Sequence, residues 1–301
     1  METSILKKWL QCGYFENDKK FFNEAGTPQG GIISPILANM VLDGLQTLLY
    51  KKYKRICHRP NNDKKLYWLP PVRKKNEKVN LIRYADDFIV TCESKEVLEQ
   101  EIKPMIRAFL SERGLELSEE KTVITNISDG FDFLGFNIRL YQNTVLIKPS
   151  EKRVKRLRDK VGEIITSKQG DSAENLIKAL NPVIRGWCNY YRFVNSSDTF
   201  SALGHWLEER LWQWTARRHP HKSNGWRKNK YFTKLKGQNW RFFAKEENGN
   251  LIYLIYPSDI KMLRHKQFKT DKNPFDSQDR QYFKDREKKG VKMNLPISKS
   301  S

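Results

Sequence analysis

Cysteine is scarce in this chain, and none of it is paired along the sequence. Cys12, Cys57, Cys92 and Cys188 stand singly, with no CxxC and no Cys/His cluster at zinc spacing. This argues against a disulfide framework or a structural zinc site and fits a reducing compartment. Long apolar runs are missing too: no stretch approaches the ~20 residues that span a bilayer. The opening "METSILKKWLQCGYF" lacks the apolar segment and cleavage site of a secretory leader. The expectation is a soluble, intracellular protein with no membrane partner. Acidic residues are short relative to basic ones, 35 against 56, for a formal charge of +21. So strong a positive field attracts a polyanion, and nucleic acid is the leading partner.

At 301 residues the chain has room for roughly two domains. Its charge is uneven. Residues 1–150 hold 23 basic and 19 acidic side chains, and residues 151–301 hold 33 and 16, so the second half is the expected binding surface. Within the first half, "KKYKRICHRPNNDKKLYWLPPVRKKNEK" carries 11 basic and two acidic residues and is interrupted by Pro60, Pro70 and Pro71. It reads as a basic surface loop, for contact with nucleic acid or simply for solvation.

The "GTPQGG" cluster leads into an apolar segment, Ile32 to Leu49, that predicts one buried helix after Pro35. "KVNLIRYADDFIVTC" predicts a β-hairpin with its carboxylates at the bend. Ser94 can cap a helix through "KEVLEQEIKPMIRAFLSERG", ended by Gly114, with Pro104 near its start or kinking it. "LELSEEKTVITNI" and "FDFLGFNIRLYQNTVLIKP" are strand-like. From Ser150 the pattern turns helical. Val154, Leu157, Val161, Ile164 and Ile165 share one face, Pro182 can start a second helix, and Asp198 can cap a third. Asn248 and Gly249 predict a hairpin turn. The tail from Lys261 is expected to lie extended or partly disordered. The fold class is α+β.

Asp86 and Asp87 pose the chemical question. Buried carboxylates cost several kcal/mol unless compensated, so the pair must face solvent, a cation or a metal. An acidic pair in a hairpin is often only a solvated turn. In "GTPQGG" the glycines let a backbone approach a nucleic acid closely, although a tight turn opening a core helix has the same signature. Further on, Arg185, Trp187, Tyr190 and Tyr191, then Arg217, Arg218, His219 and Lys222, interleave bases with aromatics. Aromatic planes can stack on unpaired bases and cations can neutralise phosphate, as in RNA recognition. The same aromatics sit at helical spacing and suit ordinary core packing.

Four segments, "GTPQGGIISPILANMVLDGL", "IRYADDFIV", "GLELSEEKTVI" and "FDFLGFNI", resemble in order the palm motifs of reverse transcriptases of the group II intron-encoded kind. "NPVIRGWCNYYRFV", "LWQWTARRHPHKSNGWRKNKYF" and "NPFDSQDRQYF" resemble the maturase region that follows the polymerase in that family. The resemblance runs through most of residues 20–285. It implies a partial palm, an antiparallel sheet with helices, over residues 1–148, a mainly helical thumb/maturase module over 149–260, and a basic tail over 261–301. It further implies RNA-directed DNA synthesis by two-metal nucleotidyl transfer and assistance to splicing of a group II intron RNA. An RNA-binding maturase without synthesis, or an inactive remnant, is the alternative.

Magnesium favours oxygen ligands and keeps some of its waters, so a few carboxylates suffice. By the resemblance, Asp86 is the principal Mg²⁺ ligand and Asp87 a weaker or indirect one. Tyr84 lies beneath the primer terminus, and Lys121 sits near the incoming nucleotide unless it is merely a surface lysine. Gly26, Thr27, Pro28, Gln29 and Gly30 border the nascent base pair. The family uses another aspartate on a strand before the Gly-rich turn. Only Asp18 precedes Gly26 here, in the polar "ENDKKFF". The expectation is an N-terminally truncated or split form, inactive alone, whose fingers and third palm aspartate come from a second chain. DNA primer or target is a further expected partner, in a bacterial cytoplasm or an organelle.

Overall fold

A computed structural model describes residues 4–5, 7–8, 13–16, 19–21, 34–53, 55–58, 66–69, 78–235, 237–263, 272 and 275–288. The chain packs as two compact units, Met1–Ile124 and Thr125–Ser301. The meander that follows residue 124 thus packs with the helices after it.

In the first unit, β1 (Tyr14–Glu16) and β2 (Lys19–Phe21) form a small antiparallel ladder. The segment expected as one helix is two, α1 (Ser34–Val41) and α2 (Leu45–Tyr53). A turn at Leu42–Gly44 separates them, and Gly44 takes φ 90°, a region that favours glycine. The basic segment is not wholly loop. β3 (Arg55–His58) pairs with β4 (Leu66–Leu69), while Pro60, Pro70 and Pro71 lie outside the described residues.

The carboxylate hairpin forms as expected, from β5 (Asn80–Tyr84) and β6 (Asp87–Thr91). After it, Ser94 Oγ accepts from the Val97 amide at 3.3 Å and caps α3 (Lys95–Val97). A π-helical stretch, Leu98–Ile102, then leads into α4 (Lys103–Ser111). Proline lacks an N–H and crowds the carbonyl four residues back, and the wider turn immediately before Pro104 accommodates that without ending the helix. Leu45, Leu49 and Tyr50 of α2 join Ile102, Ile106, Phe109 and Leu110, with Val79 and Leu81, in one buried core. Full burial of such side chains contributes about 1.5–3 kcal/mol each. "LELSEEKTVI" forms no strand: residues 115–124 are turns and irregular backbone.

The second unit opens with the meander β7 (Phe131–Phe133), β8 (Phe136–Tyr141) and β9 (Thr144–Pro149). Helices α5 (Glu151–Ser167), α6 (Ala173–Tyr191), α7 (Ser197–Arg218) and α8 (Asn224–Tyr231) follow. A second sheet, β10 (Phe232–Leu235), β11 (Gln238–Lys245) and β12 (Leu251–Tyr253), has the expected turn at Asn248–Gly249. One core unites Leu157, Val161 and Ile165 of α5 with Leu176, Leu180 and Ile184 of α6, Phe200, Leu207 and Trp214 of α7, and Phe242 of β11.

Three expectations are corrected here. Pro182 does not start a helix but lies inside α6, which Ser172 caps by accepting from the Asn175 amide. The buried Leu176, Ile177 and Leu180 carry the helix back through that first turn. Ser196, not Asp198, occupies the N-cap of α7, and Asp198 lies in its first turn, where a carboxylate favours the helix dipole. Within the tail, residues 277–288 are helical rather than extended. A 3-10 turn, Ser277–Asp279, leads into α9 (Arg280–Lys288), with Asp279 buried beside Lys272 Nζ at 2.8 Å and Phe283 buried.

Candidate catalytic turn and nucleic-acid interface

The β5–β6 ladder ends with Tyr84 opposite Asp87, leaving Ala85 and Asp86 as a two-residue connection. Such tight hairpin turns demand positive φ at a central position. Ala85 meets that demand at φ 54°, a conformation costly for a residue with a Cβ, on the order of 1–3 kcal/mol. Side chains alternate along the ladder, so Leu81 goes to the core while Ile82 and Tyr84 are exposed, Tyr84 at 66 %. Asp86 and Asp87 are both exposed, and among the described residues neither is in an ion pair. Two adjacent carboxylates without a protein cation suit a hard divalent ion with oxygen ligands. Among the described residues no third His, Cys, Asp or Glu joins them.

The turn is tied to α1. Arg83 Nη1 donates to the Ala85 carbonyl at 3.0 Å and to Asn39 Oδ1 at 2.8 Å. Gly26, Thr27, Pro28, Gln29 and Gly30, upstream of α1, lie outside the described residues, as does Asp18. Lys121 is exposed in a turn whose Thr122 amide and hydroxyl both donate to the Ser118 carbonyl. Glu119 in that turn accepts from Lys103, at 2.6 Å, and from Arg107. Those hydrogen bonds, Lys103 first, hold its carboxyl below the usual glutamate range.

In the second unit the predicted RNA-binding residues divide by environment. Trp187 is half-buried, with ring centroids 4.4 Å from Tyr191 and 5.9 Å from Phe200. Tyr191 is buried, and its hydroxyl donates to the Gly135 carbonyl at 3.0 Å. Tyr190 stacks on Phe136 at 5.2 Å and donates to the Leu134 carbonyl at 3.2 Å, yet keeps half its surface exposed. Arg185 is exposed on α6.

Arg217 is exposed in the last turn of α7. Arg218 lies over Trp214 at 5.2 Å and donates to the Gln169 carbonyl at 2.9 Å, so it also secures the helix end. His219 Nε2 lies 2.7 Å from the Tyr231 hydroxyl. Its partial burial, followed by the charges of Lys230, Arg218, Lys222 and Arg227, pushes the imidazole below its ordinary value. Exposed Lys222 sits over Trp226 at 5.4 Å.

Sequence reasoning missed several cations of this surface. Lys230 also faces Trp226, at 4.7 Å, Arg227 lies over Trp212 at 4.9 Å, and Lys228 over Trp240 at 4.6 Å. The alternation in "GWRKNKY" carried that signal. A separate groove of about 590 Å³ runs between α5 and α6, with Leu157, Val183 and Trp187 on its walls and Arg153, Arg156 and Lys160 along it. Those three cations lie at helical spacing on α5, within a stretch the sequence marked only as generally basic.

Residues 1–138 match the family described as reverse transcriptase (RNA-dependent DNA polymerase), and residues 154–232 match the maturase-specific domain of group II introns. Among curated relatives, the group II intron-encoded protein LtrA of Lactococcus lactis subsp. cremoris is 29 % identical over 275 residues, covering 68 % of this chain and 46 % of that protein. An uncharacterised 91 kDa protein in the cob intron of Schizosaccharomyces pombe is 28 % identical over 260 residues, covering 67 % of this chain and 32 % of its own. Protein YkfC of Escherichia coli is 29 % identical over 149 residues, covering 45 % and 38 %. The chain thus spans less than half the length of these relatives. Among the described residues no helix is long and apolar enough to cross a membrane. A reverse transcriptase match followed on the same chain by a group II maturase match places this protein in the group II intron-encoded reverse transcriptase/maturase family.

Proposed function

We propose that the chain is the palm and maturase portion of an RNA-directed DNA polymerase that binds a group II intron RNA, assists its splicing and takes part in copying RNA into DNA. One observation carries the catalytic half of this reading: the strained two-residue turn that presents Asp86 and Asp87, neither in an ion pair among the described residues. These carboxylates would hold Mg²⁺, which when bound supplies charge neutralisation for the attacking and leaving oxygens of nucleotidyl transfer. Exposed Tyr84, one residue before the turn, offers a face for the primer terminus. Lys121, on a turn anchored by Glu119, offers an ammonium for the triphosphate. The glycines of residues 26–30 would let backbone approach the new base pair.

The working domains on this reading are a partial palm over residues 1–148, a thumb/maturase over 149–260 and a basic tail over 261–301. The fingers and a third carboxylate would come from polypeptide other than residues 1–301. The setting would be a bacterial cytoplasm or an organelle, with DNA as primer or target.

A splicing maturase that makes no DNA is the second reading. It is favoured by the second unit, whose own core carries the basic, aromatic surface from Arg217 to Lys230 independently of the catalytic turn. RNA-templated primer extension separates the two. The chain is assayed alone and with a polypeptide supplying the fingers and the missing strand. We expect incorporation only in the complemented reaction and its loss in Asp86→Asn. Incorporation that survives this substitution would overturn the catalytic reading. Salt-sensitive binding to intron RNA without any incorporation would leave the maturase reading standing.

A further inference from the structure

Arg83 is a cation placed three and four positions before two exposed carboxylates, yet it pairs with neither. Across the ladder it stands opposite Phe88, the residue after Asp87. An unrestrained guanidinium at such a position would be drawn to a carboxylate, where its planar fork fits two oxygens. Here a single nitrogen, Nη1, is committed to two neutral acceptors, the Ala85 carbonyl at 3.0 Å and Asn39 Oδ1 at 2.8 Å. The charge stays beside the turn, and among the described residues the carboxylates form no ion pair.

The first of these bonds acts on the backbone. The Ala85 carbonyl and the Asp86 amide belong to one rigid peptide plane. Holding that carbonyl therefore fixes the plane from which Asp86 leaves the turn and narrows the directions open to its side chain. The restraint falls where the chain most needs it, because Ala85 has a Cβ and sits at φ 54°. The second bond fixes the guanidinium itself. Asn39, itself exposed, belongs to α1, which leads directly into Leu42, a buried residue of this unit's core.

We infer that Arg83, held by Asn39, is a positioning residue that orients the Ala85–Asp86 peptide for cation binding. This rests on the proposal that Asp86 and Asp87 hold a divalent ion. It goes beyond that proposal by assigning the orientation of the site to a hydrogen-bonded pair that would touch neither ion nor substrate. Loss of either partner has a defined consequence. Without Arg83 the strained peptide is free to turn. Without Asn39 the guanidinium loses its second anchor and holds the Ala85 carbonyl less firmly.

The test needs no polymerase activity. Fe²⁺ substituted for Mg²⁺, with ascorbate and peroxide, generates hydroxyl radical where it is bound and cuts the backbone there. The chain, together with a polypeptide supplying the fingers and the third carboxylate, is expected to be cut at residues 84–88, with Mg²⁺ competing and Asp86→Asn abolishing the cut. In Arg83→Met, with an unchanged circular dichroism spectrum, the cut should weaken by about 10-fold or more, the range in which outer partners act on metal affinity. Asn39→Ala should weaken it similarly, and the double variant no further than Arg83→Met alone.

Folded Arg83→Met or Asn39→Ala chains cut at the same place, with the same Mg²⁺ midpoint as the parent, would overturn the inference. If Arg83→Met fails to fold, Asn39→Ala, which leaves the strand sequence intact, decides the matter by the same readout. A complemented parent chain that is not cut at the turn, or an Asp86→Asn chain still cut there, would instead overturn the metal-binding proposal underneath.

Discussion

The Tyr191 hydroxyl lies 3.0 Å from the Gly135 carbonyl and latches the β7–β8 turn onto α6. Leu134 and Gly135 take φ 51° and 82°, the paired positive angles of a tight hairpin turn. A Cβ built on Gly135 would stand 2.9 Å from the same Tyr191 oxygen and 3.0 Å from Arg153 Nε. Gly135→Ala should therefore destabilise the second unit by about 1–3 kcal/mol. Tyr191→Phe should cost only about 1 kcal/mol, because the Ser150 amide still donates to that carbonyl at 3.0 Å. Urea unfolding of the two single variants and the double variant checks this. The double variant should be more stable than the sum of the singles implies, since one clash partner is gone.

Asp86→Asn should leave the urea midpoint of the chain nearly unchanged, within about 0.5 kcal/mol, because the side chain is exposed and unpaired among the described residues. In a complemented primer-extension assay the same substitution should cost more than the ~10–100-fold that outer partners of a metal site cost. Asp87→Asn should cost less. Equal losses would remove the distinction between principal and weaker ligand, and a larger loss in Asp87→Asn would reverse it.

His219 gives the second unit a pH dependence whose sign follows from its environment. Its folded-state value lies below the ordinary 6.5, chiefly through partial burial and then the neighbouring cations. As pH falls, the unfolded chain takes up this proton first, so stability rises with pH in that interval. The contribution is fully present above about pH 6.5 and is lost as pH falls through the lowered folded value. Urea midpoints measured from pH 7.5 to 5 should fall more steeply for the parent than for His219→Gln.

For RNA binding by the surface from Arg217 to Lys230, Lys222→Ala and Lys230→Ala should each reduce the slope of log affinity against log salt by about 1. Lys178→Ala serves as the control. That ammonium is already engaged by Glu174 and Glu246, whose hydrogen bonds hold it above its ordinary value. Its removal should leave the slope unchanged. A slope that does not move in the Lys222 or Lys230 variants would place the RNA elsewhere.

The division between legible and hidden features follows the range of the forces involved. The carboxylate hairpin was readable because its two apolar runs, its turn length and its acidic tip are all local. The α5 face, Leu157, Val161 and Ile165, was readable because helical periodicity repeats within one segment. "LELSEEKTVI" looked like a strand, but a strand needs a partner and none pairs with it among the described residues. Pro182 looked like a helix start. Burial of Leu176, Ile177 and Leu180 outweighed the lost N–H and carried α6 through it.

By itself, then, the amino-acid order determined the acidic tip, the basic second half and the helical faces, since each depends on residues a few positions apart. Only tertiary packing decided that Tyr191 and Arg218 serve the protein's own backbone, that Lys222 and Lys230 share one indole, and that Arg83 is held by Asn39 rather than by a carboxylate. Partners separated by up to 56 positions along the chain are chosen by which surfaces the cores bring together, and no local pattern encodes that choice.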